Sequence, residues 1–543
     1  MEKPSLEIGK GNWAIKENNL LGHTTVDGMI LPDPVTVTRA TLATRINPSG
    51  LVEDVALLGD EILDGGFDID DNWTKQTGWS IANGVANSVA SGSGQDLIRS
   101  VSGEITSGKT YKIEYTISNH VTGGVKTFLS GGGAVQGTTN NGNGTYVDYL
   151  LAPANNTSFK FTTASGGFTG SIENVSLKEA TINGLAKIDY TDGAANLLVE
   201  PARTNTAVNS EKAVLYSYND SVNVSDVSMV TPRGYVSNVV KIEAVAGDNS
   251  PIRAASFNLG SYSQNDIVTT SAYVKYNGYR YVQFGGYFSN ESARFDLING
   301  VVIQNLSNVI SSSIKKAENG WYKLVTTYTF QDNIGNGNLY AGFVLSPETD
   351  FSFTNASADG LYAWGFQAEL GNYATSYIKT SGTAVTRAKD VIAKTGISDK
   401  INSAEGVFFV DLAFLNDTGF YKSVSLSDGT TANRITFENR PVANQVKALI
   451  VNGSQTIMSL VHTLTDVKAF NKMAIKWEQD NFTWWINGVK VHTDTSGNIF
   501  SANTLNRLAF DRGDTHVQVE GKVRQAQVYK TALTDSELKK LTT

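Results

Sequence analysis

The sequence predicts an all-β fold of tandem antiparallel β-sandwiches of jelly-roll type, and three observations carry that reading. Apolar and polar residues alternate at a period of two far more often than at 3.6, most strictly over Tyr111-Lys112-Ile113-Glu114-Tyr115-Thr116-Ile117. β-Branched and aromatic runs at 271–276, 321–330 and 407–414 are separated by Asn83-Gly84, Asn277-Gly278, Asn319-Gly320 and Asn487-Gly488, and Asn-Gly supplies the positive φ pair that a two-residue hairpin turn needs. A single helix signature stands at the end. There Thr534-Asp535-Ser536-Glu537 spells a capping box, and Leu533, Leu538 and Leu541 form an apolar stripe that should dock on the last sandwich.

At 543 residues the chain is long enough for three or four domains at about 150 residues each. With 44 Lys and Arg against 52 Asp and Glu the net charge is −8, and no basic run occurs, so nucleic acid is an unsuitable partner. No cysteine is present, which removes disulfides, thiolate metal sites and cysteine nucleophiles. No stretch is apolar enough for membrane insertion. The first residues lack the apolar run of a signal peptide, so the expected site of synthesis is a cytoplasm.

The tetrapeptide Val37-Thr38-Arg39-Ala40 recurs as Val385-Thr386-Arg387-Ala388. Around these echoes run Thr41-Leu42-Ala43-Thr44-Arg45-Ile46-Asn47, Ile188-Asp189-Tyr190, Asn196-Leu197-Leu198-Val199-Glu200-Pro201-Ala202-Arg203-Thr204-Asn205 and Gly365-Phe366-Gln367-Ala368-Glu369-Leu370-Gly371. This order resembles a family of bacteriophage tail-fibre and other virion proteins that carry carbohydrate-binding-type jelly rolls. Residues 60–181, with Gly78-Trp79-Ser80-Ile81 and Phe168-Thr169-Gly170-Ser171-Ile172, resemble a further such module set into the N-terminal segment. Insertion of this kind requires that Asp60 and Ile182 lie close together. The stretches Gly406-Val407-Phe408-Phe409-Val410 and Trp484-Trp485-Ile486-Asn487-Gly488-Val489 are similar to concanavalin-A-like, laminin-G-like domains. The resulting division is 1–59 as an N-terminal attachment segment continued by 182–204, then 60–181, 205–390 and 391–543 as sandwiches. Residues 1–34, with Trp13, Pro32 and Pro34, are expected to anchor the chain to the particle.

Motifs of catalysis fail on context. Gly103-Glu104-Ile105-Thr106-Ser107-Gly108-Lys109-Thr110 fits the phosphate-loop pattern, but a strand rather than a helix follows it. The five histidines are scattered, with no His-Glu-x-x-His and no Gly-x-Ser-x-Gly elbow. Glycoside hydrolysis needs only two carboxylates, yet residues 400–543 lack the Glu-x-Asp-x-x-Glu spacing of concanavalin-A-like glucanases. No catalytic residue is assigned, and no cofactor is expected beyond a structural Ca²⁺ on Asp64, Asp68, Asp70 and Asp71, whose alternative is a solvated acidic loop.

Aromatic rings are the usual sugar platforms, which makes Trp73, Tyr279, Tyr281, Trp364, Tyr373, Trp484 and Trp485 the candidate glycan contacts, each weighed against a place in a core. The resemblance implies a virion protein that binds host-surface polysaccharide without catalysis, a tail-fibre or tail-tip adhesin. It also implies docking to other virion proteins and, by analogy with fibres, a homo-oligomer such as a trimer. A purely structural virion protein and a polysaccharide depolymerase are the two alternatives.

Overall fold

The computed structural model describes residues 2–9, 24–26, 29–30, 35–63, 65–211, 215–217, 220–247, 254–260, 262–286, 290–331, 339–346, 349, 351, 358–417 and 421–543. Trp13, Pro32, Pro34 and Asp64 lie outside them. Among the described residues antiparallel strands dominate, with one α-helix at the C-terminal end. Among the described residues no helix is long and apolar enough to cross a membrane. The chain forms two compact units, Met1–Val55 with Asn183–Arg203 and Thr386–Thr543, and Ala56–Ile182 with Thr204–Val385.

The first unit is a sandwich of two sheets. One runs from Leu6–Gly9 through Gly521–Tyr529, Gly406–Phe414, Asn471–Trp477 and Phe482–Ile486 to Val489–Asp494. The other runs from Gln455–Thr463 through Gln445–Asn452, Arg434–Asn439, Lys422–Ser427, Arg507–Ala509 and Val391–Thr395 to Thr36–Thr38. Alternation decides what enters the core: Phe408, Val410 and Leu412, with Ile475 and Trp484 of the same sheet, line the inner face and pack with Phe437 of the other sheet. Val407, Phe409 and Trp485 take the opposite face, where helix Asp535–Thr542 covers them with Leu538 and Leu541. Thr534 caps that helix as the sequence predicts, its oxygen accepting from the Glu537 amide while Glu537 accepts from the Thr534 amide at 3.0 Å. Asn487 and Gly488 have φ of 47° and 82°, and the hairpin closes with Ile486 opposite Val489.

The N-terminal segment departs from the division expected of it. Leu6 lies opposite Val528 and Leu197 opposite Val523, while Val37 lies opposite Ile392. Leu6, Ile8, Val35, Val37, Ile188, Leu197 and Val199 are all buried in the core that holds Trp484. The described strands Leu6–Gly9, Thr36–Thr38 and Asn196–Val199 are therefore not a segment apart from 391–543. They extend the two sheets of that sandwich and bury Leu6, Val37 and Leu197 in its core, whereas Thr44–Ile46 and Val52–Asp54 pair with each other as a separate two-stranded sheet.

The repeated tetrapeptide has a physical explanation in this unit. Arg39 donates to Asp390 at 2.8 Å, and Arg387 pairs with Glu200 at 3.0 Å. Lys187 sits between them, 2.8 Å from Asp390 and also paired with Glu200. The backbone joins the same residues, since the Glu200 amide donates to Asp390 Oδ2 at 2.9 Å and the Asp390 amide to the Glu200 carbonyl at 3.0 Å. All five side chains are at most 2% exposed. Burial alone would raise the Asp390 pKa, but Lys187, Arg39 and Arg387 outweigh it and hold this carboxyl below its ordinary value. Each copy of the tetrapeptide thus delivers one arginine to a single buried ion cluster that ties three separated chain segments together.

The second unit contains two β-sandwiches. In the first, Thr110–Ser130 and Ser158–Thr181 run antiparallel along most of their lengths, Tyr111 opposite Glu179 and Ser130 opposite Ser158. The pair bends where Gly123 and Gly167 take positive φ, and a Cβ on Gly123 would lie 2.1 Å from the Gly167 carbonyl oxygen. Residues from both halves, Ile113 and Ile117 as well as Val125, Leu129 and Phe161, then share one core. Thr181 lies opposite Leu57, so the chain enters and leaves this sandwich at one place. Gly103–Thr110 opens directly onto the Thr110–Ser130 strand, with no helix to aim amides at a phosphate. The second sandwich is two six-stranded sheets, one from Tyr216–Ser217 to Val301–Asn305 and one from Val222–Val230 to Val309–Lys316, around Phe257, Phe284, Phe343 and Phe366.

Candidate functional site

Most of the aromatic rings chosen from sequence are packed inside the fold. Trp73 is buried against Phe67, Phe159 and Phe161. Tyr279 is in the core of the second sandwich. Trp364 is enclosed between Tyr273 and Tyr377, whose ring centroids lie 5.7 and 4.9 Å away. Trp484 is in the inner core and Trp485 lies beneath the terminal helix, as their adjacent positions on one strand require. Tyr281 is 9% exposed and carries the Arg280 guanidinium 5.0 Å over its ring. Tyr373 is half-buried. Buried rings of this kind have no free face for a pyranose. Ring type alone did not reveal this, because outer sheet faces here are covered in turn by the helix and by crossing segments.

The other sequence candidates separate similarly. Asp68 is exposed, Asp70 pairs with Lys75, and Asp71 belongs to the short 3₁₀ turn Asp70–Asn72. Among the described residues no three His, Asp or Glu side chains gather as a cation site. The histidines are less scattered than the sequence suggests. His462 and His492, on edge strands of the two sheets, stand 6.2 Å apart beside Trp484, on which His492 stacks. Burial, followed by the neighbouring His492, lowers the His462 pKa.

Two further polar groups shape the second sandwich. Arg280 forks onto Asp296, Nε to Oδ1 at 3.0 Å and Nη2 to Oδ2 at 2.7 Å. Burial would raise the Asp296 pKa, but Arg280 and the amides of Asn299 and Ile298 overcome it and hold the carboxyl at about 2. Glu291 is its opposite: burial pushes its pKa from 4.5 to about 7, although the Gln331 amide donates to it at 2.6 Å. Only 3% of Glu291 is exposed, so this carboxyl is an interior group rather than one lining an open groove.

An open polar face does exist, on the first sandwich of the second unit, and it is built by strand alternation. In Lys126-Thr127-Phe128-Leu129-Ser130, Thr127 and Leu129 are fully buried, which turns Lys126, Phe128 and Ser130 outward. In Phe159-Lys160-Phe161-Thr162 the two phenylalanines take the core and Lys160 and Thr162 face out. Register places Phe128 opposite Lys160 on one side and Gln136 on the other, with Asp96 opposite Thr162 on the next strand. Phe128 is half-buried and lies outside the core.

The polar groups of this face are tied to one another. Lys126 Nζ lies 5.1 Å and Lys160 Nζ 5.2 Å from the Phe128 ring centroid. Lys126 also donates to Gln136 Oε1 and Lys160 to Asp96 Oδ2, both at 2.8 Å. Thr162 donates to Asp96 Oδ1 at 2.7 Å, and the Ser130 and Ser158 hydroxyls meet at 2.8 Å. Chemically the face offers two ammonium groups, hydroxyls and an amide around one ring, a set that can hydrogen-bond a polyhydroxylated ligand. Selection by Trp and Tyr missed it. The legible signal was the alternation of Lys126-Thr127-Phe128-Leu129, which sets a phenylalanine on the side opposite two core residues.

With that geometry in place, comparison with solved structures returns carbohydrate-binding modules. The CBM40 of the Ruminococcus gnavus IT-sialidase, in a structure bound to α2,3-sialyllactose, is 18% identical and matches at a TM-score of 0.23, over 26% of this chain and 83% of that one. The CBM22-1–CBM22-2 tandem domain of Paenibacillus barcinonensis Xyn10C is 10% identical at a TM-score of 0.21, over 58% of this chain and 98% of that one. At TM-scores this low the likeness assigns neither a ligand nor a role. No family model and no curated protein matches the chain.

Proposed function

We propose that this chain is a non-catalytic glycan-binding protein of the virion surface, a bacteriophage tail-fibre or tail-tip adhesin that presents β-sandwiches to host-surface polysaccharide. The virion assignment rests on the ordered motifs that flank Arg39, Arg203 and Arg387. The observation that carries the binding assignment is the outward face of Lys126, Phe128 and Lys160, where hydroxyl, amide and ammonium groups surround a ring outside the core. Weak sites repeated on several copies in one particle would add through avidity.

The experiment is a glycan array and a host-cell binding assay on the full chain, with product release read in the same samples. Saturable binding without shortened glycan is expected. Shortened glycan would replace the adhesin by a depolymerase, and absence of binding even in multivalent display would leave a structural virion protein. Residues 1–34 are unsuited to a simple attachment test by deletion, because Leu6 and Ile8 belong to the core of the first unit.

A further inference from the structure

The face around Phe128 holds more cationic hydrogen-bond donors than its own side chains use. Each lysine ammonium has three N–H groups. In this face Lys126 gives one to Gln136, and Lys160 gives one to Asp96. The Phe128 ring steadies both charges through its quadrupole without accepting a conventional hydrogen bond, so N–H groups of both lysines remain for a ligand. Among the described residues Asp96 is the one carboxylate paired across this face, and its two oxygens are engaged by Thr162 and Lys160. Two positive charges thus stand against one negative.

Resting on the glycan-binding reading, we propose that this face selects an anionic sugar, one bearing a carboxylate or a sulfate, with the anion held between Lys126 and Lys160. The neighbouring Ser130 and Ser158 hydroxyls and the Gln136 amide meet the sugar's hydroxyl groups. Lysine supplies a compact charge without the planar fork of arginine, so both kinds of anion satisfy it, and a neutral sugar leaves the face with one positive charge in excess. The charge complementarity is local. It acts although the chain as a whole carries a net charge of −8.

The test is calorimetric titration of the full chain with tetragalacturonate, its methyl ester, and a κ-carrageenan tetrasaccharide, at low and high salt. At least one charged probe is expected to bind, about tenfold or more tighter than the methyl ester, and less tightly as salt rises. Which charged probe binds distinguishes carboxylate from sulfate. The double variant K126Q/K160Q is expected to lose that advantage while keeping its circular dichroism spectrum and its thermal melting curve. K126R/K160R, which keeps the charge, restores part of it. Equal binding of tetragalacturonate and its methyl ester without a sulfate preference, or an unaffected double variant, would overturn the proposal. Neutral glycans bound while both charged probes are ignored would also overturn it and leave the glycan reading standing. Binding of no glycan at all would remove both.

Discussion

Replacing Asp390 by Asn tests whether the buried ion cluster holds the first unit together. Asp390 accepts from Arg39 at 2.8 Å, from Lys187 at 2.8 Å and from the Glu200 amide at 2.9 Å, and its side chain is 1% exposed. The cluster has three cations, Arg39, Lys187 and Arg387, and two anions, Glu200 and Asp390. D390N therefore leaves three buried cations around one carboxylate. Removing one partner of a buried pair costs about 3–5 kcal/mol, because the remaining charge stays desolvated. K187M acts on the other side of the balance. It leaves Arg39 with Asp390 and Arg387 with Glu200, so the expected cost is smaller, about 1–3 kcal/mol for the lost buried hydrogen bonds. The assay is urea unfolding combined with amide hydrogen exchange on strands Val391–Thr395 and Asn196–Val199. D390N within about 0.5 kcal/mol of the parent, or K187M costing more than D390N, would refute this account. The pH dependence has a definite sign. The Asp390 carboxyl is held below 3.8, so its contribution is present above that pH and is lost as pH falls through the lower, folded-state value.

Two further outcomes follow from other parts of the fold. L538A removes a fully buried side chain from the contact of the terminal helix with Phe409 and Trp485, and should cost about 2–5 kcal/mol with a change in tryptophan fluorescence; an unchanged melting curve would show that the helix is not docked. Glu291 has its pKa raised from 4.5 to about 7, so its stabilising effect is full below 4.5 and is lost as pH rises through about 7. E291Q should flatten that part of the stability profile, as read by thermal melts across pH 4 to 8, and a profile identical to the parent would exclude Glu291 as its source.

What was legible in the sequence was local. The period-two alternation, the Asn487-Gly488 turn and the Thr534–Glu537 capping box each depend on neighbouring residues, and each is found as expected. Pairings over long separations were not legible. Leu6 meets Val528 and Leu197 meets Val523 through a sheet whose order no nearby residue encodes, so the N-terminal segment looked like an appendage. The echo around Arg39 and Arg387 was visible as text, but its meaning required Lys187, Glu200 and Asp390 from elsewhere in the chain. The glycan candidates show a similar limit. Tryptophans attract notice, yet Trp73, Trp364 and Trp484 fill interiors, while the half-buried Phe128 was passed over because its significance comes from lysines on two strands.

The most direct test of the central claim is hydrogen–deuterium exchange on the full chain with and without the strongest glycan from the array. The account expects added protection on the second half of Thr110–Ser130 and the first half of Ser158–Thr181, where Phe128 and Lys160 lie opposite one another. Protection confined to other strands, with none around Phe128, would contradict it.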